Sequence, residues 1–523
     1  MWQSGALKSR LPPLVNQEAG HPMFYWMAAE TARHAIGYCA RPSFDSSIVL
    51  RGAEEYRGWK TIEQLVELAV DVQLHVPVQP ISRWEETLSQ DIWGAMGQIW
   101  LPQYILQRRS PYRVGQTLLM YGEAPSRRIQ RDNTFPLEPF RAALRRVLGA
   151  GLEHFLFVLL QVGGRSVSDD PGLSYLALAP LKDRRYDRIV GDVDERGVFH
   201  SAYEGFFRAL SAAPADMMAW SRGRMQMLDP SRTDLPARFD GPNPLTRYPL
   251  VRCFPDKIDH CLAPVPHLIH EWLYEPLMDL IAQEVGIALG PDLGRGVGAV
   301  LFEEYIGLLA ERCSPAGSGW IHEDALRPLR SGRKVVDWAC PLSNHVVLLD
   351  AKRSFIEPAV RGRWVSRDWA GIKNGITKGV KQACMFWSAV KAGEVPALHE
   401  SATKTPVALI VVQGDSTFYN STDTWRAEVD AAIAGLPDVV PWTVASLDIY
   451  ENVMSTWHQC DEGWLPDLLL KAAQERSHKA FADLPQRAEG PLWEVYMSFV
   501  HDHVARVAPE LAEQFLRQKP DNE

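Results

Sequence analysis

The chain has 523 residues, 46% of them hydrophobic and 23% charged, and a net charge of −9. At roughly 100–200 residues per domain this is room for two to four domains. The composition excludes a mostly disordered chain, a collagen-like repeat and a disulfide-stapled mini-protein. Seven scattered cysteines with no CxxC pair point to a reducing cytoplasm. The first residues lack the apolar core of a signal peptide, and the greasiest run, 155–160, is far short of the ~20 residues that cross a bilayer. The expectation is a soluble, cytoplasmic protein with no membrane partner.

In chain order, apolar residues at three- and four-residue spacing predict helices over 61–72, 139–148 and 203–212. Residues 1–240 therefore read as a helical N-terminal region, its size suited to a sensing, partner-docking or DNA-gripping role. Turn formers crowd the stretch 229–244 and place a domain boundary near 240. A glycine-rich segment, 289–298, precedes a helix over 299–313. Two short runs rich in β-branched residues, 335–340 and 346–352, flank Pro341-Leu-Ser-Asn344 and read as two strands and a turn. A helix over 372–391, strands over 407–412 and 442–447, and helical elements from 464 to 523 follow. The whole is α/β in its central unit, 241–463, and α+β overall.

The chemistry concentrates in Asp337 and in Asp350-Ala351-Lys352. Residues two apart on a strand share a face, so Asp350 and Lys352 project together while Ala351 points the other way. A hairpin loop centred between Ser343 and Asn344 sets Asp337 opposite Asp350, about 5 Å apart at Cβ. Two carboxylates that close repel unless a cation lies between them. Oxygen donors suit Mg²⁺ or Mn²⁺, and a lysine beside such an ion suits attack of water on a phosphodiester.

This arrangement resembles the PD-(D/E)xK nuclease superfamily over about 160 residues, from Gly290 to Leu447, with Val336 at the place of the eponymous proline. The resemblance implies a restriction-endonuclease-like mixed-sheet core with flanking helices. It implies a metal held by Asp337, Asp350, the Ala351 carbonyl and a glutamate on the preceding helix. An aromatic residue precedes that glutamate in the family, which favours Glu303 of Phe302-Glu303-Glu304 over Glu304. Lys352 would activate the water, and Gln382 on the following helix would orient Lys352 or a phosphate. The activity implied is metal-dependent hydrolysis of phosphodiester bonds, with DNA favoured over RNA. The setting implied is antiviral defence or restriction, gated by a protein partner. The alternative is a non-catalytic nucleic-acid-binding or scaffold subunit that keeps the fold.

Local charge agrees with a polyanionic substrate. The segment 327–381 carries twelve Lys or Arg against four acids on a chain that is acidic overall. Arg353, Arg361, Arg363, Arg367, Lys373, Lys378 and Lys381 are the candidate phosphate contacts, and Trp364 and Trp369 lie among them. Other patterns carry less. Cys253, His260, Cys261 and His267 fit no common zinc spacing, Gly294-Arg-Gly-Val-Gly298 is an incomplete dinucleotide loop, and His501 and His503 read as solvated. Arg252 reads equally as a phosphate contact or a buried pairing.

Overall fold

A computed structural model describes residues 110–167, 175–177, 193–213, 216–217, 219–220, 223, 244–252, 260–262, 268–315, 318–327, 335–353, 366–413, 423–475, 479–482, 484 and 490–508. The helix expected over 61–72 lies outside these residues. The first described elements are helical: α1 (Ser110–Thr117), a π-helical stretch (Leu118–Glu123), α2 (Ala124–Arg131), α3 (Leu137–Leu148) and α4 (Leu152–Val167). The α3 helix matches the apolar spacing of 139–148 and ends where Gly149 takes φ +74°, a left-handed cap that a side chain disfavours.

A four-stranded sheet includes residues 211–212, which the apolar spacing assigns to the end of a helix. It consists of β1 (Tyr175–Ala177), β2 (Ser211–Ala212), β3 (Leu250–Arg252) and β4 (His260–Leu262), in the order β1-β4-β3-β2, with α5 (Val193–Leu210) leading into β2. Strands of two or three residues are too short to show alternation in a sequence. Arg252 ties this sheet together, donating to Ser211 Oγ at 2.9 Å and to the Ser211 carbonyl at 3.0 Å.

Next come α6 (Glu275–Leu289) and α7 (Pro291–Cys313), joined through Gly290 at φ +106°. The α7 helix starts eight residues earlier than expected, with Pro291 in its first turn, where a missing N–H costs nothing. The glycine-rich segment is thus the α6–α7 corner and the first turns of α7. A Cβ at Gly294 would run into the Ala282 carbonyl, so the glycine permits the close α6–α7 approach.

The principal sheet has five strands: β5 (Ile321–His322), β6 (Trp338–Pro341), β7 (His345–Lys352), β8 (Thr405–Val412) and β9 (Trp442–Ser446), in that spatial order. The β6 strand pairs antiparallel with β5 and with β7, whereas β7, β8 and β9 run parallel. A short turn of helix, α8 (Glu323–Leu326), follows β5. The parallel strands are linked through α9 (Ser366–Lys391) and α10 (Asp423–Ile433), and then come α11 (Leu447–Trp457), α12 (Trp464–Glu475) and α13 (Pro491–Phe499). Parallel neighbours need such crossovers. The architecture is a mixed α/β sheet with flanking helices, as expected.

The alternation along β7 builds two cores. Val347 and Leu349 pack with α7 and α11, while Val346 and Leu348 pack with α9. The first core does not stop at the sheet. It runs on through α1 and α3–α6 and through α11–α13. Arg113 on α1 pairs with Glu271 at 3.2 Å and with Asp448 on α11 at 2.9 Å. The boundary placed near 240 therefore separates no two cores among the described residues, and 464–508 shares the same core as well. No described helix is long and apolar enough to cross a membrane.

Candidate metal centre

The β6–β7 ladder pairs Trp338 with Leu349, Ala339 with Leu348, Cys340 with Val347 and Pro341 with Val346. This is the register of a loop centred between Ser343 and Asn344, so the next pair outward is Asp337 with Asp350. Asp337 Oδ2 accepts the Ala351 N–H at 2.6 Å. Lys352 Nζ lies 2.6 Å from Asp350 Oδ2. Asp350 is 0% exposed, and its Oδ1 has no hydrogen-bond partner among the described residues. On the other side stands Gly379 of α9, where a Cβ would sit 2.5 Å from Asp350 Oδ2 and 3.5 Å from Lys352 Cε. A glycine at this point lets the carboxylate fit between helix and sheet.

The electrostatics are those of a site short of positive charge. Burial, then the charge of Asp350, pushes the Asp337 carboxyl well above the usual carboxylate range. Burial raises Asp350 also, with Lys352 pulling the other way. Lys352 is raised as well: burial works against its charge, but Asp350, Asp337 and Glu303 together overcome it. Its ammonium is thereby held protonated. A divalent cation is the natural partner for the remaining carboxylate charge, and the orphaned Asp350 Oδ1 is a donor of the right kind.

The two glutamates of α7 part company. Glu304 is 0% exposed and sits among Arg131 at 3.1 Å, Arg127 at 3.4 Å and Arg128 at 3.5 Å, all from α2. Glu303 faces the strand ends, where its charge acts on Asp337, Asp350 and Lys352. Its Oε1 is 3.9 Å from His322 Nε2. His322 and Glu323, which follow each other at the end of β5, were not legible as site residues. A two-residue strand has no pattern, and neither residue belongs to a motif. The Glu323 N–H donates to the Asp337 carbonyl at 2.9 Å, which ties this corner to the acid pair. Burial, then the Glu303 charge, raises the Glu323 carboxyl.

Gln382 takes a different position from the one expected. Its amide donates to the Val335 carbonyl, so it secures the lead-in to β6 and makes no hydrogen bond to Lys352. Arg353 is likewise engaged, with its side chain 13% exposed: it reaches Gln413 Oε1 and Asp279, each at 3.3 Å, and the Arg295 carbonyl at 3.4 Å. It struts the end of β7 against α6 and α7. Lys378 and Lys381 are exposed on α9. Arg361, Arg363 and Trp364 lie outside the described residues, as do the side chains of Arg367, Trp369 and Lys373. Cys253 and His267 are outside as well, while His260 and Cys261 are neighbours on β4. His501 is exposed, but His503 is buried against Phe499, with their ring centroids 5.4 Å apart; a solvated reading of that residue does not hold.

Trp338 links the site to the N-terminal helices. Arg131 and Arg127 of α2 lie over its ring, 4.6 and 5.0 Å from the centroid, and Gly307 of α7 leaves room for it on the helix surface. The basic run of α2 does not announce this partner in the sequence. Searches for similar proteins find no match to a family model, to a curated protein or to a solved structure.

Proposed function

We propose that this chain is a divalent-metal-dependent nuclease of the PD-(D/E)xK type that hydrolyses phosphodiester bonds, DNA being the favoured substrate. One observation carries the reading: Asp337 and Asp350 meet across β6 and β7, with Lys352 on the Asp350 oxygen and a second Asp350 oxygen left without a partner. The strand order supports it too, since three antiparallel strands are followed by a parallel one reached through a helix. Asp337, Asp350, the Ala351 carbonyl and Glu303 would hold Mg²⁺ or Mn²⁺. The ion, when bound, supplies positive charge on the phosphate and lowers the pKa of water.

The chain's own groups do the rest. Lys352, kept charged by three carboxylates, orients the attacking water and meets the negative charge that develops as the new P–O bond forms and the ester P–O bond breaks. Lys378 and Lys381, exposed on α9, add attraction for the backbone. Arg353 is assigned to the scaffold and Gln382 to holding the β6 lead-in. A nuclease of this kind is kept in check by a gating partner, and antiviral defence or restriction in a reducing cytoplasm is the setting we favour.

The test is cleavage of plasmid, single-stranded DNA and RNA with Mg²⁺ or Mn²⁺, wild type beside Lys352→Ala and Asp350→Ala. Loss of such groups typically removes several kcal/mol of barrier lowering, so both variants should be inert in every arm where the wild type cuts. A variant that cuts at the wild-type rate overturns the assignment.

A further inference from the structure

His322 is 9% exposed, and its two ring nitrogens have unlike surroundings. Nδ1 lies 3.0 Å from Asp324 Oδ2 and 3.4 Å from the Asp324 backbone N, whose N–H it caps at the start of α8. Nε2 is buried and has no hydrogen-bond partner among the described residues, and it is turned toward Glu303. The ring is held against Trp338, with centroids 4.7 Å apart. In the tautomer that donates Nδ1–H to the Asp324 carboxylate, Nε2 keeps a lone pair, the form in which a histidine ligates a metal. Glu303 and Glu323 stand near the ring, and one donor atom from each of the three residues lies within 4.8 Å of the others.

We propose that Glu303, His322 and Glu323 form a second cation site beside the Asp337/Asp350 pair, one that takes a transition ion such as Mn²⁺ in preference to Mg²⁺. The preference follows from the donor set: imidazole suits transition ions, whereas Mg²⁺ is served by oxygen and water. The site lies on the α7 side of the strand ends, and the acid pair lies on the α9 side. Glu303 is within electrostatic reach of both. The proposal deepens the nuclease reading and rests on it for its catalytic meaning: one glutamate would serve two ions, and full activity would call for Mn²⁺.

The test is Mn²⁺ titration of the full, chelator-stripped chain followed by electron paramagnetic resonance, with nitrogen hyperfine coupling as the mark of an imidazole ligand. The wild type should bind two Mn²⁺, one of them nitrogen-coupled, and millimolar Mg²⁺ should displace only the uncoupled one. His322→Gln should bind one Mn²⁺ and show no coupling. Asp350→Asn should keep the coupled ion and lose the other. Asp324→Asn, which removes the carboxylate beside the ring and its pairing with Arg327, should weaken the coupled site about 10–100-fold while the coupling persists. Two ions and no nitrogen coupling in the wild type, or an unchanged titration in His322→Gln, overturns the second site. If Asp350→Asn still loses an ion in that case, the nuclease site stands. If only His322→Gln loses one, this site stands and the acid-pair metal reading falls. Thermal melts of each variant confirm that a lost ion is not a lost fold.

Discussion

Replacing Gly379 with alanine adds one methyl group at the point where α9 crosses the site. In the interior of a helix this exchange normally stabilises by about 0.5–1 kcal/mol, because glycine has more freedom to lose on folding. At Gly379 the new Cβ would lie 2.5 Å from Asp350 Oδ2 and 3.2 Å from Ile410 Cδ1. Ordinary contact is nearer ~3.5 Å, so the carboxylate must give by about 1 Å. Overpacking of this kind costs about 1–3 kcal/mol, which leaves a net loss of about 0–2.5 kcal/mol. A displacement of about 1 Å in a catalytic group costs on the order of 100-fold in rate. The expected result is therefore a protein that folds with a modestly lower melting temperature while its Mn²⁺ affinity and cleavage rate fall by roughly two orders of magnitude. Gly296 on α7 is the control: nothing lies within 4 Å of a Cβ there, so Gly296→Ala should gain the ordinary helix increment and keep its activity. If Gly379→Ala behaves as Gly296→Ala does, with higher stability and full Mn²⁺ binding, then Asp350 is not where the chemistry is.

Asp337 has a raised pKa in the folded chain and an ordinary one, about 4, when unfolded. The folded state then holds a proton that the unfolded state has released, so without a cation stability falls as the pH rises from about 4 toward the raised value. Asp337→Asn should flatten that slope and raise stability at pH 7 by about 0.5–2 kcal/mol, read from melts in chelator across pH 4–8, while abolishing cleavage. An unchanged slope would count against the acid pair. Glu303→Gln should keep stability within about 0.5 kcal/mol and lose Mn²⁺ affinity and cleavage. Glu304→Gln strands three arginines and should cost about 3–5 kcal/mol in denaturant titration. The opposite pattern would mean that the two glutamates have been assigned the wrong way round.

The N-terminal helices are structural participants in this centre. Arg127 and Arg131 cover Trp338, one residue from Asp337, and the same arginines neutralise Glu304. Any partner that shifts α2 would act on β6 directly, which is a physical route for the gating proposed above.

Local sequence determined the central hairpin. β-branched runs of the right length, an intervening turn and acids at their ends specify one register, because a slip by one residue would turn Asp350 and Lys352 to the opposite face of the sheet from Asp337. Helices with continuous apolar spacing, such as α3 and the later part of α9, were legible for the same reason. The resemblance favoured Glu303 over Glu304, but helical spacing did not separate them, since both lie at similar offsets from the apolar stripe of α7. The position of α2, whose arginines hold Glu304, is what parts them. Tertiary structure also brought in His322 and Glu323 from a strand too short to have a period, and it engaged Gln382 and Arg353 in scaffold contacts that no spacing rule contains. Such pairings join residues tens to hundreds of positions apart. They are set by how helices pack across the sheet, a property of the assembled core rather than of any stretch of chain.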